Sequence, residues 1–324
     1  TAYEISTRDW SSDVCSSDLN ANKFFLTFIH LINDMLPIPE SELIINKRGA
    51  IYHLDLRPEE LAQTVIVVGD QDRVPKVSKH FDSIEHRRQH REFVTHTGRI
   101  GNLPITVMST GIGTDNIDIA LNELDAVANI DFDTRTIRPE LKKLNIIRLG
   151  TCGALQADIP IDSLVVSTHG LGLDNVLNYY QTNPTREEKE IASAFIQQTG
   201  IDTSITIPYV FEGSQTLLQK FNHDFIKGVT IACPGFYGPQ GRVLRLALKQ
   251  QELVSAFTSF SYNRHRVTNF EMETSTIYGL GKLLGHECLS INVVVANRVI
   301  QQYSKDSNAA VEKMIEQSLD RLIA

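Results

Sequence analysis

Short β-branched runs alternate with amphipathic stretches along most of this chain. TVIVVGD (Thr64 to Asp70) is apolar almost throughout and closes on a glycine, which predicts a buried strand. RVPKVSKHF follows as a helix, with Asp72 near its start and Pro75 in its first turn. FVTHTGRIGNLPITVMST (Phe93 to Thr110) predicts two strands joined at Gly101 and Asn102. GIGTDN (Gly111 to Asn116) comes next, and then NIDIALNELDAVA with helical spacing. NIIRLGT (Asn145 to Thr151), SLVVST (Ser163 to Thr168), VTIACPG (Val229 to Gly235) and CLSINVVVANR (Cys288 to Arg298) read as further strands. REEKEIASAFIQQ (Arg186 to Gln198), NFEMETSTIYGLGKLLG (Asn269 to Gly285) and SNAAVEKMIEQSLDRLI read as helices. DFDTRTIRPELKK (Asp131 to Lys143) is charged and reads as an exposed excursion.

Strands that alternate with helices predict one α/β domain, with a largely parallel central sheet and helices on both faces. In such sheets ligands sit beyond the carboxyl ends of the strands. The chemistry-bearing residues fall there: Gly69 to Arg73, Thr110 to Gly113, Arg148 to Gly153, Phe236 to Arg242, and Ala296 to Arg298.

Composition narrows the partners. The 324 residues carry a formal net charge of -8, which argues against a nucleic-acid ligand and requires any anion to meet local arginines. Cys15, Cys152, Cys233 and Cys288 stand alone without C-x-x-C spacing, as expected of reduced, buried thiols in a cytoplasmic protein rather than a zinc site. The run FFLTFIHLI (Phe24 to Ile32) is too short to span a membrane and lacks the flanks of a signal peptide. TAYEISTRDWSSDVCSSDL (Thr1 to Leu19) has neither helical nor strand period and resembles translated sequencing adapter. Residues 1–34 are therefore expected to be a non-native or disordered extension, Met35 a plausible start, and 35–324 the working domain.

Arginines beside glycines carry the chemistry. Arg73 follows a glycine turn after a strand, Arg148 precedes Gly-Thr-Cys-Gly, and Arg91 sits in QHREF. One arginine is ordinarily a solvated surface residue. Three near glycine-rich strand ends suggest an oxyanion site, because the guanidinium fork matches phosphate and glycine lets backbone N–H groups approach it. Thr110 and Thr151 offer hydroxyl donors. GIGTDN lacks the third glycine of a dinucleotide fingerprint, and no G-x-x-x-x-G-K-[ST] loop occurs. Glu271 and Glu273 are two apart, so on a helix they would diverge and make a poor acid–base pair. Cys152 has no local base and reads as core. His86, His90 and His96 lie among Arg87, Arg88 and Arg91, whose charges oppose a cation, so no metal is expected there.

The motifs GDQDRV, YHL, HREF, STGIG, RLGTCGA, GFYGPQGR, FEMET and ANR occur in an order known from one family. From about Ile51 to the C-terminus the chain resembles the uridine phosphorylases of the nucleoside phosphorylase I family. That resemblance implies a single-domain three-layer α/β/α fold with a mixed, partly barrel-like central sheet. It implies reversible phosphorolysis of a pyrimidine nucleoside, with inorganic phosphate as co-substrate and no cofactor. Gly69, Arg73, Arg148 and Thr151 would bind phosphate, with Arg91 reaching a neighbouring subunit's phosphate. His53 would cross the same interface to the ribose, so the unit would be at least a dimer, with a trimer of dimers as the larger form. Thr110, Met272 and Glu273 would line the ribose, with Glu273 accepting from its 2′- and 3′-hydroxyls. Phe236 would stack on the base, and Gln240 and Arg242 would grip its edge with Arg298 close by. Arg242, Gln240, Glu273 and Arg73 would carry catalysis.

The chain departs from the family at several points. Gln71 replaces a common proline, GPQGR replaces the common P-G-Q-E-R, and Thr114, Asp115 and Asn116 replace small residues. Purine nucleoside phosphorylases are the nearest alternative, but they use an aspartate where this chain has Asn297. A water-using nucleosidase would leave three arginines without a purpose, and a nucleoside sensor would bind without turnover.

Overall fold

The structure is a computed structural model that describes residues 36–221 and 224–323. The expectations for residues 1–34, including Cys15 and the run from Phe24 to Ile32, lie outside the described residues. Among the described residues no helix is long and apolar enough to cross a membrane.

After a 3-10 turn at Pro58–Glu60 come the first strand β1 (Thr64–Val68) and the short helix α1 (Arg73–Ser78). An antiparallel meander follows: β2 (Ser83–His90), β3 (Phe93–Ile100) and β4 (Leu103–Ser109). Helix α2 (Thr114–Asn129) leads to the small hairpin β5 (Ile130–Asp131) and β6 (Thr136–Ile137), which forms the charged excursion. Then come β7 (Asn145–Ala154), β8 (Leu164–Gly172), α3 (Arg186–Thr199), β9 (Tyr209–Glu212), α4 (Gln215–Lys220) and β10 (Ile226–Ala232). The C-terminal part holds α5 (Leu253–Ser259), β11 (Ser261–Tyr262), β12 (His265–Glu271), α6 (Thr274–Leu284), β13 (Glu287–Asn297), β14 (Gln302–Tyr303) and α7 (Ser307–Ile323).

The main sheet runs β11-β12-β10-β8-β13-β7-β1-β4-β3-β2, and an added β12–β7 pairing closes five of these strands into a ring. Strands β12, β10 and β8 are mutually parallel, as are β13, β7, β1 and β4. The two groups meet antiparallel at β13–β8 and β12–β7. The sheet is therefore mixed rather than largely parallel. Hydrophobic periodicity reports burial on both faces of a strand, and β1 is buried at every position, but it carries no information on strand direction.

Helices cover both faces. Ile117, Leu121 and Leu124 of α2 and Ile277, Tyr278 and Leu280 of α6 pack with Val65, Val67 and Ile146. Val74 and Val77 of α1, Leu217 and Leu218 of α4, and Val311, Met314 and Ile315 of α7 pack with Ile66, Ile147 and Ile291. Odd and even positions of β1 thus feed opposite layers, the signature of a strand buried on both sides. Ile191 and Phe195 of α3 and Phe257 of α5 close a third layer over Leu171, Ile231 and Phe270.

NFEMETSTIYGLGKLLG is not helical from its start. Asn269 to Glu271 are the end of β12, and α6 begins at Thr274. Asn269 and Phe270 are held by pairing to Ala154 and Gly153 across the ring closure, a tertiary constraint that overrides local helical spacing. β2 also escaped the periodicity reading, because SIEHRRQH alternates exposed and half-covered positions with no apolar face.

Candidate active site

A cavity of about 810 Å³ opens where the strand ends gather, and it draws its walls from the predicted segments. Gly69, Asp70, Gln71 and Arg73 follow β1, while Arg148, Thr151, Cys152 and Gly153 belong to β7. Phe236, Gln240 and Arg242 come from the loop after β10, and Glu271, Met272 and Glu273 join β12 to α6.

Arg148 is the electrostatic centre of one end. Its side chain is buried, and Nη2 sits 3.1 Å from Glu271 Oε2 and in hydrogen-bond contact with Glu273 Oε2. Nη1 donates to Asn292 Oδ1. Burial opposes its charge, but Glu271 and Glu273 outweigh that and hold its pKa above the ordinary arginine value. Gly150 makes this possible, since a Cβ there would lie 1.8 Å from Arg148 Nη1. Arg73 approaches from the neighbouring strand end and donates through Nη1 to the Leu149 carbonyl at 3.2 Å. Burial lowers its pKa, and the charge of Arg148 lowers it further. Two cations thus share one desolvated corner, an arrangement that an anion would relieve.

Glu271 and Glu273 do not diverge. Because the strand ends between them, both carboxylates turn onto Arg148. Glu271 accepts backbone N–H groups from Glu273 at 3.0 Å and Thr274 at 3.1 Å, serving the unpaired donors at the start of α6. Burial raises its pKa from 4.5 to about 7 despite Arg148. Glu273 Oε1 accepts from the Gly113 N–H at 2.7 Å, which ties it to the N-terminus of α2. Beneath that turn Gly111 has φ +73°, and a Cβ there would meet Asn116 Nδ2 at 2.3 Å. Asn116, expected only as a departure in the loop, therefore packs into the space that a side chain at position 111 would need.

The other end is built differently. Arg242 stacks on Phe236, with Cζ 3.7 Å from the ring centroid, and Nη1 donates to the Phe236 carbonyl at 2.7 Å and to Gln240 Oε1. Gln240 is buried, whereas Phe236 is 50% exposed. Burial and the charge of Arg298 lower the Arg242 pKa to about 10. Arg298 braces the loop from behind through the carbonyls of Gln240 at 3.1 Å and Gly241 at 3.4 Å, and it does not line the cavity. One face of Phe236 already carries the guanidinium, so a base stacking there must use the remaining face or displace Arg242.

Besides Arg298, three predicted residues lie outside the lining. Thr110 is buried, its hydroxyl spent on the carbonyls of Gly111 at 3.2 Å and Val68 at 3.4 Å. His53 contacts Glu123, with Nδ1 2.5 Å from Oε1. Arg91 is exposed, at φ 52°, with its guanidinium 5.8 Å from the Tyr52 ring. Tyr52 also meets the His53 and His90 rings edge-on, so His53 and Arg91 belong to one surface cluster. Gln71 Nε2 donates to the Arg91 carbonyl at 3.1 Å and links that cluster to the cavity wall.

The wall also holds residues outside the segments that the sequence reading placed at the strand ends: Glu92, Phe270, Val295 and Tyr303. Glu92 follows Arg91 directly, so HREF offered a signal. Tyr303 offered none, because only the β14–β13 pairing that sets it opposite Ala296 brings it here. Asn297 faces away. Its Nδ2 donates to the carbonyls of Gln156 and Ile159 at 2.9 Å, and its Oδ1 accepts from Val299 and Ile300. Cys152 lines the cavity, but burial pushes its thiol pKa up, so it is no nucleophile.

Similarity to known proteins extends over most of the chain. Residues 63–324 match the family model described as the phosphorylase superfamily. A uridine phosphorylase of Thermococcus kodakarensis is 31% identical over 265 residues, covering 80% of this chain and 82% of that protein. The uridine phosphorylase of Escherichia coli K12 is 26% identical over 292 residues, covering 85% of this chain and 99% of that protein. Among solved structures, a Trypanosoma brucei nucleoside phosphorylase described as showing uridine phosphorylase activity superposes with a TM-score of 0.81 at 31% identity. That match covers 87% of this chain and 99% of the other.

Proposed function

The chain belongs to the phosphorylase superfamily, and from that premise we propose that it catalyses reversible phosphorolysis of a pyrimidine nucleoside, uridine and phosphate giving uracil and ribose 1-phosphate. The observation that carries this reading is the polarity of one cavity. Arg73 and Arg148 occupy one end, Gln240 and Arg242 the other, and Glu273 lies on the wall with them.

Phosphate takes the arginine corner, with the Gly69 turn and Thr151 beside it. The ribose lies across Met272 and Glu273. Glu273 gives one oxygen to Arg148 and the other to Gly113, and its remaining lone pairs accept from the sugar diol. As the glycosidic bond stretches, negative charge builds on the base and positive charge on the anomeric carbon. Arg242 and Gln240 stabilise the departing uracil anion through its ring oxygens and nitrogen, and the dianion held by Arg73 and Arg148 attacks the cationic carbon from the opposite side. Gln240 and Arg242 are polar but not acidic, which suits a leaving group that departs as an anion. The reaction needs no group beyond its two substrates.

The surface cluster of His53 and Arg91 serves a neighbouring copy, His53 at the ribose and Arg91 at the phosphate. The working unit is accordingly a homo-oligomer, at least a dimer, formed by residues 35–324 in the cytoplasm. The test is release of uracil from uridine with and without phosphate, beside inosine. Uracil formed only with phosphate is the expected result. Inosine turnover alone would replace this reading with a purine phosphorylase, phosphate-independent release with a nucleosidase, and binding without turnover with a sensor.

A further inference from the structure

A second group of chemistry-bearing residues lies away from this cavity. His169 on β8 and His265 at the start of β12 meet edge-to-face, with ring centroids 4.7 Å apart. Both are buried. Two residues further along each strand, Leu171 and Val267 join the apolar layer under α3, so both imidazoles sit at the edge of that layer by the period-two rule. Glu187, in the first turn of α3, closes over them, with Oε1 2.9 Å from His265 Nε2. One ligand-capable atom from each of His169, Glu187 and His265 lies within 4.8 Å of the other two.

We infer that His169, Glu187 and His265 form a zinc site that pins the N-terminus of α3 to strands β8 and β12. Two imidazoles and a carboxylate are the donor set that zinc prefers over magnesium or calcium, leaving a fourth position for water. Among the described residues the His169 ring has one hydrogen-bond contact, Nδ1 with Thr168 Oγ1 at 3.2 Å, which leaves its other nitrogen for a metal. Glu187 is 43% exposed on its side chain, which gives the ion a route in and lets the carboxylate swing by the ångström or so that tetrahedral contacts require. Glu188, next in the chain, does not add a free charge, because Lys282 Nζ meets its carboxylate at 2.8 Å. Arg264 opposes the ion, but its side chain is 80% exposed, 3.7 Å from Glu187, and free to turn into water. None of the three ligands lines the catalytic cavity, so the site acts on stability. β12 runs from His265 to Glu271, so the strand that the metal would hold is the one that delivers a carboxylate to Arg148.

The test uses the full chain, stripped with EDTA and dialysed. One zinc per chain should bind on titration and raise the unfolding temperature by several degrees, while magnesium does neither. Cobalt in its place should show the visible absorption of a tetrahedral site. Glu187→Gln removes one ligand at a half-exposed position and should abolish the zinc-dependent rise while the protein still folds. His265→Ala, the more disruptive change, should do the same. No stoichiometric binding by the unaltered chain would overturn the inference. Undiminished binding and stabilisation in Glu187→Gln would also do so, placing the ion elsewhere, for example at the more exposed group His80, Glu312 and Glu316.

Discussion

The two ends of the catalytic cavity hold their arginines in opposite ways. Arg148 rises from a central strand, buried among carboxylates that are themselves bonded to the ends of α2 and α6. Arg242 rides on a loop, half-covered, leaning on an aromatic ring and on carbonyls of its own turn. Just beyond it Leu244 and Leu246 are 79% and 77% exposed. The oxyanion end is part of the protein's framework, and the base end is mounted on it. A buried cation with paired anions cannot be removed without stranding the anions, whereas a surface loop loses only what it was holding.

That contrast sets the expected effects. Arg148→Ala should be the most damaging change, because Glu271 and Glu273 would lose the cation they share and Glu273 would be left as a buried charge without it. A loss of about 3–5 kcal/mol in stability, read from urea unfolding, is the expected cost, with phosphorolysis lost as well. A variant that unfolds at the same urea concentration as the parent would show that the corner is not part of the framework. Arg242→Ala should lower kcat/KM for uridine by about 10²–10³, the range for losing one preorganised donor, with the unfolding midpoint unchanged. A large fall in stability there would erase the distinction between the two ends.

The smallest effect sharpens the comparison through pH. Burial raises Glu271 from 4.5 to about 7. As pH rises between those values the unfolded chain gives up this proton first, so the contribution is present below 4.5 and lost as pH passes through about 7. Glu271→Gln cannot titrate, and its stability curve should be flatter than the parent's over that window. Parallel curves for the two proteins would assign the titration to another group.

Much of this was legible along the chain. The arginines at 73 and 148 were marked by the glycines and strand ends beside them, because an oxyanion site needs both a fork of donors and close backbone approach, whereas Arg91, read with them, lies exposed outside the cavity lining. The helix assigned to Asn269–Glu271 was wrong because local spacing cannot register a strand clamped from outside. Tyr303 was invisible for a similar reason, since its place in the wall depends on a two-residue strand folding back on β13.

The sequence by itself determined which strands are buried on both faces, where helices alternate with them, and which turns carry guanidinium groups, since burial and turn chemistry are local and periodic. Only the tertiary structure decided strand direction, the closure of the ring, and the turning of Glu271 and Glu273 onto one arginine. Those depend on pairings between residues more than a hundred positions apart, such as Arg148 with Glu273, and no local period encodes them.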